Sequence, residues 1–566
     1  MAGPFEPQVR QGNEGLCGPG GPAASLSWKS LAGRGFRARR WGIALASVVC
    51  VLGLTVAAGP ARVAAEPVAE VADPVVTGPV TGGAQGHPQL DAPFRVADQG
   101  YEAAEYFVSG TAKSFVADVP PAAYATRIVV YRPTDPARFS GNVVLEWANT
   151  TGQIDAPVEF MWSYPQIFAT GDVYVQVSAQ QAGVCGMGLP GGPGPAICTP
   201  ISLKGWDPVR YRDLIHPGDR YADDIFSQTV RAIRHPGPVA PLAGLAARHV
   251  IAIGESQSAI ALDNYIRSGA DRAAGVVDGF VIDADGHTAE PGTYRVPTVT
   301  VWSEESARPD PVIAANHVTW SVAGAAHTDH WLLADATGWA GHSLLGAPLR
   351  TAAEQDAQEH AAGDYGQEGP GASLTCAGDD EFPRRYVVDA AIADVEDWLD
   401  TGTPAPDSPP LRFTGADRAP EPLPAIGNAL AALTGAIDPE LGGLDILGIL
   451  GAPGALARDG DGNALGGLRL PPVSVPVAGY DGSACIAAGT TAPLTPDRLH
   501  RRYPTHADYV AQVVAATEEA VARRYLTVRD AVDFLGRACD SAIPDFGTTP
   551  AEQQPAECHH PESLPR

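Results

Sequence analysis

The segment from His249 to Leu262 constrains the fold of this chain more than any other. A β-branched apolar run, His249-Val250-Ile251-Ala252-Ile253, enters Gly254-Glu255-Ser256-Gln257-Ser258 and continues into Ala259-Ile260-Ala261-Leu262 with no loop between. A strand that turns directly into a helix brings two backbones close together, so the residues flanking the turn must be small. Gly254 and Ser258 meet that demand, with Ser258 standing where a second glycine is usual. The pattern predicts a strand over His249–Ile253 and a helix from Gln257 to about Arg267.

The same alternation runs through the sequence on either side. Strands are predicted at Arg127–Tyr131, Asn142–Trp147, Val173–Val177, Gly279–Ile282, Val296–Trp302 and Thr319–Ala323, and helices at Tyr221–Arg234, with Asp219 as N-cap, and Tyr386–Leu399. Near-continuous apolar strands alternating with helices define an α/β architecture, in which a mostly parallel central sheet is flanked by helices. With 566 residues, 45% hydrophobic and 18% charged, the chain can bury a large core. Beyond Asp400 the alternation stops. A Pro-rich stretch (Thr403 to Pro410), a low-charge segment (Ile426–Leu456), a turn-rich piece and a helical region over about Asp508–Cys539 form a C-terminal extension or lid. The expected organisation is a leader over 1–65, a linker over 66–92, the α/β body over 93–400 and the extension over 401–566.

The leader is inferred from Trp41–Gly59, an apolar stretch preceded by Arg34, Arg37, Arg39 and Arg40 and trailed by the small residues Val63-Ala64-Ala65. A basic flank, an apolar segment and an A-x-A-like site make a secretory signal, with an uncleaved signal anchor as the alternative. Both readings export the chain to a secreted or cell-envelope location. Seven of the 38 cations and two of the 65 acids precede Glu66, leaving 31 against 63 and a net charge of −32. This charge excludes nucleic acid as a partner and disfavours anionic lipid surfaces, so no membrane contact is expected beyond an uncleaved anchor. Without Cys17 and Cys50 of the leader, six cysteines remain, an even number suited to disulfides in an oxidising compartment. Cys185–Cys198 is the expected pair, closing a Gly/Pro-rich loop.

Ser256 alone would serve as a helix N-cap. The order of the downstream residues points to chemistry instead. A serine hydroxyl needs an imidazole to take its proton and an acid to orient that imidazole. The strand ending at Trp302 leads into Ser303-Glu304-Glu305, and the next strand leads into Gly324-Ala325-Ala326-His327. Ser256, Glu304 and His327 thus occur in the order nucleophile, acid, base, each just past a predicted strand. His330 competes with His327; Glu305, Asp283 and Asp285 compete with Glu304. Donors for an oxyanion are expected from the backbone N–H of Gln257 and from the loop opening Trp147-Ala148-Asn149-Thr150, with Asn149 or Thr150 as candidate.

At these residues the chain resembles a family of exported bacterial α/β-hydrolase-domain proteins with a G-E-S-Q-S elbow. The resemblance runs from about Gly78 to the C-terminal helices. It is carried by Tyr106-Phe107-Val108-Ser109-Gly110-Thr111-Ala112, Glu146-Trp147-Ala148-Asn149, Val177-Ser178-Ala179-Gln180, Gly205-Trp206-Asp207-Pro208, His216-Pro217-Gly218-Asp219 and Asp224-Ile225-Phe226-Ser227-Gln228. Gly254 to Ser258, Ala323-Gly324-Ala325-Ala326-His327 and the run Gly462 to Pro471 complete it. The resemblance implies an α/β-hydrolase fold and a serine hydrolase with Ser256 as nucleophile, His327 as base and Glu304 as acid; it implies no substrate.

The expected activity is hydrolysis of a small carboxylic ester through an acyl-enzyme. The alternatives are an amidase or peptidase with the same residues, or a non-catalytic exported binding protein on the same fold. Asp459-Gly460-Asp461-Gly462-Asn463 is read as a tight turn, because a calcium loop needs glycine at the sixth position and glutamate at the twelfth, where Ala464 and Leu470 stand. His559-His560 is read as a solvated tail. No metal and no organic cofactor is expected.

Overall fold

A computed structural model of the chain describes residues 71–116, 118–186, 198–284, 292–311, 313–362, 379–415, 454–485, 488–545, 549–550, 553–555 and 558. The leader stretch Trp41–Gly59, Asp285, Cys376, nearly all of Ile426–Leu456 and His559-His560 lie outside the described residues. Among the described residues no helix is long and apolar enough to cross a membrane.

Nine strands form one sheet: β1 (Val75–Thr77), β2 (Tyr101–Ala112), β3 (Ala122–Pro133), β4 (Asn142–Trp147), β5 (Val173–Val177), β6 (His249–Glu255), β7 (Gly279–Asp283), β8 (Thr298–Trp302) and β9 (His317–Ser321). Their spatial order is β1-β2-β3-β5-β4-β6-β7-β8-β9. The first three pair antiparallel with one another and β3 pairs antiparallel with β5; from β5 to β9 every neighbouring pair is parallel. This is the expected mostly parallel sheet, with an antiparallel edge.

Helices α1 (Val158–Thr170), α2 (Gln181–Cys185), α3 (Leu203–Trp206), α4 (Ala222–Arg234), α5 (Gln257–Arg267), α6 (Ala270–Ala274), α7 (His330–Leu345), α8 (Ala352–Ala362) and α9 (Arg385–Thr401) fill the connections. The strands read as continuous apolar runs because successive side chains enter different cores. Val144, Ile251 and Ile253 point into one core with α1, α7 and α9, whereas Val143, Leu145, Val250 and Ala252 point into the other with α4 and α5.

Three local expectations are corrected. Asp219 does not cap α4: residues Asp219–Tyr221 form a 3₁₀ turn, and the Asp219 carboxylate accepts from the Gln181 N–H at 2.6 Å. The last strand starts and stops earlier than Thr319–Ala323, because the chain past Ser321 pairs with the C-terminal extension. There the Leu468 N–H donates to the Ser321 carbonyl at 2.7 Å and the Ala323 N–H to the Leu468 carbonyl at 3.0 Å. From residue 71 the segment read as a linker is packed on the body: it contains β1, buries Leu90 and Ala92, and donates from the Gln89 N–H to the Tyr211 hydroxyl at 3.0 Å.

The extension shares the body's core. Tyr509, Val510 and Val513 of the helix His506–Ala522, and Phe534 and Leu535 of Val528–Asp540, belong to the same apolar cluster as Ile251 and Val299. An antiparallel pair, β10 (Ala478–Asp481) with β11 (Thr490–Pro493), lies beside it. Asp459 makes the expected tight turn, its Oδ1 accepting from the N–H groups of Asp461 and Asn463 at 2.9 and 3.0 Å. The expected disulfide Cys185–Cys198 is formed; a second, Cys539–Cys558, ties the tail to the last helix, and Cys485 is disulfide-bonded as well.

Gly482, just past β10, presses on the loop that precedes His327. A Cβ there would stand 1.9 Å from the Ala325 carbonyl oxygen. Because backbone meets backbone, neither side can yield by rotating a side chain. Gly482→Ala is therefore expected to destabilise the whole body by about 1–3 kcal/mol, the usual cost of overpacking. Thermal unfolding of this variant beside Gly536→Ala, where a Cβ meets nothing within 4 Å, measures the difference.

Candidate active site

Ser256 occupies the turn between β6 and α5 with φ 55° and ψ −116°, a region that a side chain adopts at a cost of roughly 1–3 kcal/mol. The surrounding backbone over-determines it. The Ser256 N–H donates to the Asp283 carbonyl at the end of β7 (2.8 Å), and its own carbonyl starts α5 by accepting from the Ile260 N–H (3.0 Å). A Cβ on Gly254 would come within 2.9 Å of the Ser258 carbonyl carbon, which explains the glycine at that position. Ser258 replaces the usual second glycine without loss, because its hydroxyl donates to the Glu255 carbonyl at 2.8 Å and accepts the Glu255 N–H at 3.0 Å.

His327 comes after a turn in which Gly324 has φ +88° and a Cβ would meet Val473 at 2.9 Å. The two carbonyls that end this turn, Ala326 and His327, accept from Nη1 of the buried Arg384 at 3.2 and 2.7 Å. Thus fixed, the ring places Nε2 2.7 Å from Ser256 Oγ and Nδ1 3.1 Å from Glu305 Oε1. With Nδ1–H donating to the carboxylate, Nε2 is left to accept the serine proton. His330, the competitor, opens α7 and faces Asp379 at 3.4 Å.

The carboxylate that meets His327 is Glu305, which corrects the expectation of Glu304. The two neighbours sit in the turn after β8 and point in opposite directions. Glu304 turns toward the C-terminal extension, where Oε2 pairs with Arg458 at 2.6 Å and Oε1 accepts the Gly324 N–H at 2.7 Å. Burial pushes its carboxyl up to about 7 against the pull of Arg458. Glu305 turns inward and also accepts from the Ser303 hydroxyl. Asp283 is committed elsewhere, to an ion pair with Arg384 Nη2.

Glu255, to which the sequence pattern assigns no role, lies 3.2 Å through Oε1 from the same His327 Nε2 that faces the serine. Burial lifts its carboxyl to about 7, while His327 and Arg384 hold it down and Asp283 and Glu305 push it up. Burial would lower the His327 pKa, yet Glu255 and Glu305 together outweigh that and the repulsion from Arg384, so the ring titrates above its usual 6.5. Sequence reasoning missed Glu255, and its place in the G-E-S-Q-S motif is the signal that could have found it; Arg384, far along the chain just before α9, carried no local signal.

Asn149 is not an oxyanion donor, a second correction. Its N–H donates to the Ala156 carbonyl at 2.9 Å, and its carboxamide donates to the Glu255 carbonyl and carboxylate at 3.0 and 3.1 Å. It positions Glu255. The Thr150 N–H does point toward the elbow but donates to the Gln257 side chain at 2.9 Å, and that side chain is itself anchored on Gln180 at 2.7 Å. The backbone N–H of Gln257 opens α5, where a helix has no carbonyl to offer it.

A family model described as an alpha/beta hydrolase domain matches residues 76–535, and the chain belongs to that family. Among solved structures, esterase Est22 and the same esterase with p-nitrophenol are each 13% identical, over 38% of this chain and 68% of theirs, with a TM-score of 0.23. No curated protein matches the chain.

Two outcomes are expected from the carboxylates. Glu305→Gln should lower kcat by about 10³–10⁴-fold, the scale set by removing the charge beside a catalytic imidazole, whereas Glu304→Gln should retain most activity and lower Tm instead. Steady-state kinetics with thermal unfolding on both variants distinguishes the neighbours. Glu255→Gln removes a group that raises the His327 pKa, so the acid limb of its kcat/KM profile should move to lower pH. An unmoved limb would mean that the Glu255 charge does not act on the ring.

Proposed function

We propose that the protein is an exported serine hydrolase that cleaves small carboxylic esters through an acyl-enzyme, with Ser256, His327 and Glu305 as its triad. The observation that carries this reading is the relay of contacts from Ser256 Oγ to His327 Nε2 (2.7 Å) and from Nδ1 to Glu305 (3.1 Å), built on a strained strand-to-helix turn. Ser256 Oγ attacks the acyl carbon while Nε2 takes its proton. The imidazolium is stabilised by Glu305 on one nitrogen and Glu255 on the other, and the Gln257 N–H faces the developing oxyanion. The imidazolium returns the proton to the leaving alcohol, which departs. Water then attacks the acyl-serine with His327 again as base, releasing the acid and restoring Ser256.

Export is part of the same reading. It is supported by the leader over 1–65 and by disulfides that persist only where the surroundings are oxidising. The charge of −32 on the residues after the leader suits a small uncharged ester better than a polyanion.

Ser256→Ala should abolish turnover of short-chain aryl esters, a loss of about 10⁶-fold, together with labelling by a fluorophosphonate probe. Labelling that survives the substitution would overturn the proposal. Matched aryl ester and aryl amide substrates, run side by side on the unaltered protein, should give faster cleavage of the ester.

A further inference from the structure

Away from the triad, three side chains that no motif connects converge on one point. His87 and Asp91 lie on the segment before β2, and His342 lies on the last turn of α7. Asp91 Oδ1 stands between the two rings, 3.0 Å from His87 Nδ1 and 3.5 Å from His342 Nε2, and the donor atoms of all three lie within 4.8 Å of one another. All three are half-buried, with the side chains 28%, 18% and 12% exposed, so the cluster is shielded yet open to entry.

We propose that His87, Asp91 and His342 bind a divalent transition-metal ion of the zinc type, with a water as fourth ligand.

The two separations at Asp91 fit such an ion. Zinc–nitrogen and zinc–oxygen bonds of about 2.0–2.1 Å place the ligands of a tetrahedron about 3.3 Å apart, and the two separations at Asp91 Oδ1 fall on either side of that value. Two imidazoles and one carboxylate favour zinc over magnesium or calcium, which prefer all-oxygen sites. His342 has the outer contact expected around a ligating histidine, whereas His87 Nδ1 also donates to the Pro88 carbonyl at 2.9 Å, a hydrogen bond that an ion at this nitrogen displaces. His342 Nδ1 donates to the Ala347 carbonyl at 2.7 Å, which leaves the Nε2 lone pair facing Asp91. The edge of Trp206 packs against the His87 ring, holding its plane.

The groups facing the rings are Asp91 and the Pro88 and Ala347 carbonyls, which favour a cation, Arg350, which opposes one at His342, and His342, which opposes one at His87. A ligating imidazole must be unprotonated, so metal affinity falls as the pH is lowered.

An ion there would act as a staple. The Leu90 N–H already donates to the Ser343 hydroxyl at 2.8 Å, joining the same segment to the same helix turn. α7 begins just after His327, so the bridge steadies the helix that carries the chain away from the base. It is remote from the reacting atoms and gives stability rather than chemistry.

The test uses the protein from Glu66 onward, stripped with EDTA and titrated with Zn²⁺ by calorimetry, with Co²⁺ absorption as a second readout. One Zn²⁺ per chain, a rise in Tm and a tetrahedral Co²⁺ spectrum are expected. Asp91→Asn and, separately, His342→Gln should weaken binding about 100-fold or more, and lowering the pH from 8 to 6 should weaken it further. A control carrying His559→Gln and His560→Gln should bind as before. Circular dichroism establishes that each variant is folded, and if one is not, the other decides. No Zn²⁺ binding, binding that both Asp91→Asn and His342→Gln retain, or binding that only the tail control removes would each overturn the proposal. Ester turnover by the stripped protein is read separately, so failure here leaves the triad reading intact.

Discussion

One buried guanidinium underlies the arrangement of the site. Arg384 has no exposed surface and is surrounded by groups that would not tolerate one another without it. It pairs with Asp283, donates to the carbonyls of Ala326 and His327, and lies 5.0 Å over the Trp162 ring. Glu159, Glu255 and Asp283 are all buried nearby, burial raises each of them, and Arg384 is the cation that pulls each back down. Removing it would leave several carboxyl groups without compensation in a medium where an unpaired charge is strongly disfavoured. The same side chain pins the backbone at the base, so electrostatic balance and ring placement have a common origin.

That balance explains why two adjacent glutamates have separate fates. In the turn after β8 successive side chains diverge, and each finds a partner on its own side: Arg458 for Glu304, His327 for Glu305. Glu304 is no spare acid. It fastens the extension to the strand end from which Glu305 projects, and the Gly324 N–H that it accepts belongs to the turn before His327. One glutamate orients the ring directly while its neighbour holds the frame around it.

Most of the body was legible because its strands are buried on both faces. Asn142–Trp147 and Val173–Val177 could be read to the residue, since an apolar run bounded by turn residues leaves little choice of register. Ser256 and His327 were legible for a related reason: each sits where a recognisable strand stops. The carboxylate was not, because a Glu-Glu pair presents identical chemistry in a sequence and only the partners on either side separate them. Asn149 failed similarly, since position in a loop does not reveal whether an N–H is already spent on Ala156. The C-terminal contacts at Ser321, Ala323 and Ala325 were illegible in principle. They join backbone groups across a long separation and leave no side-chain signature.

Those contacts bear on how the molecule comes into being. Gly482 abuts the Ala325 carbonyl, Arg458 neutralises Glu304, and Leu468 continues the strand edge beside Ser321. A chain emerging from the ribosome contains Ser256, Glu305 and His327 long before these braces are synthesised. The frame around Ser256, His327 and Glu305 is therefore completed only by the last-made quarter of the polypeptide. A nascent or truncated product carries Ser256, His327 and Glu305 without the walls that hold them together.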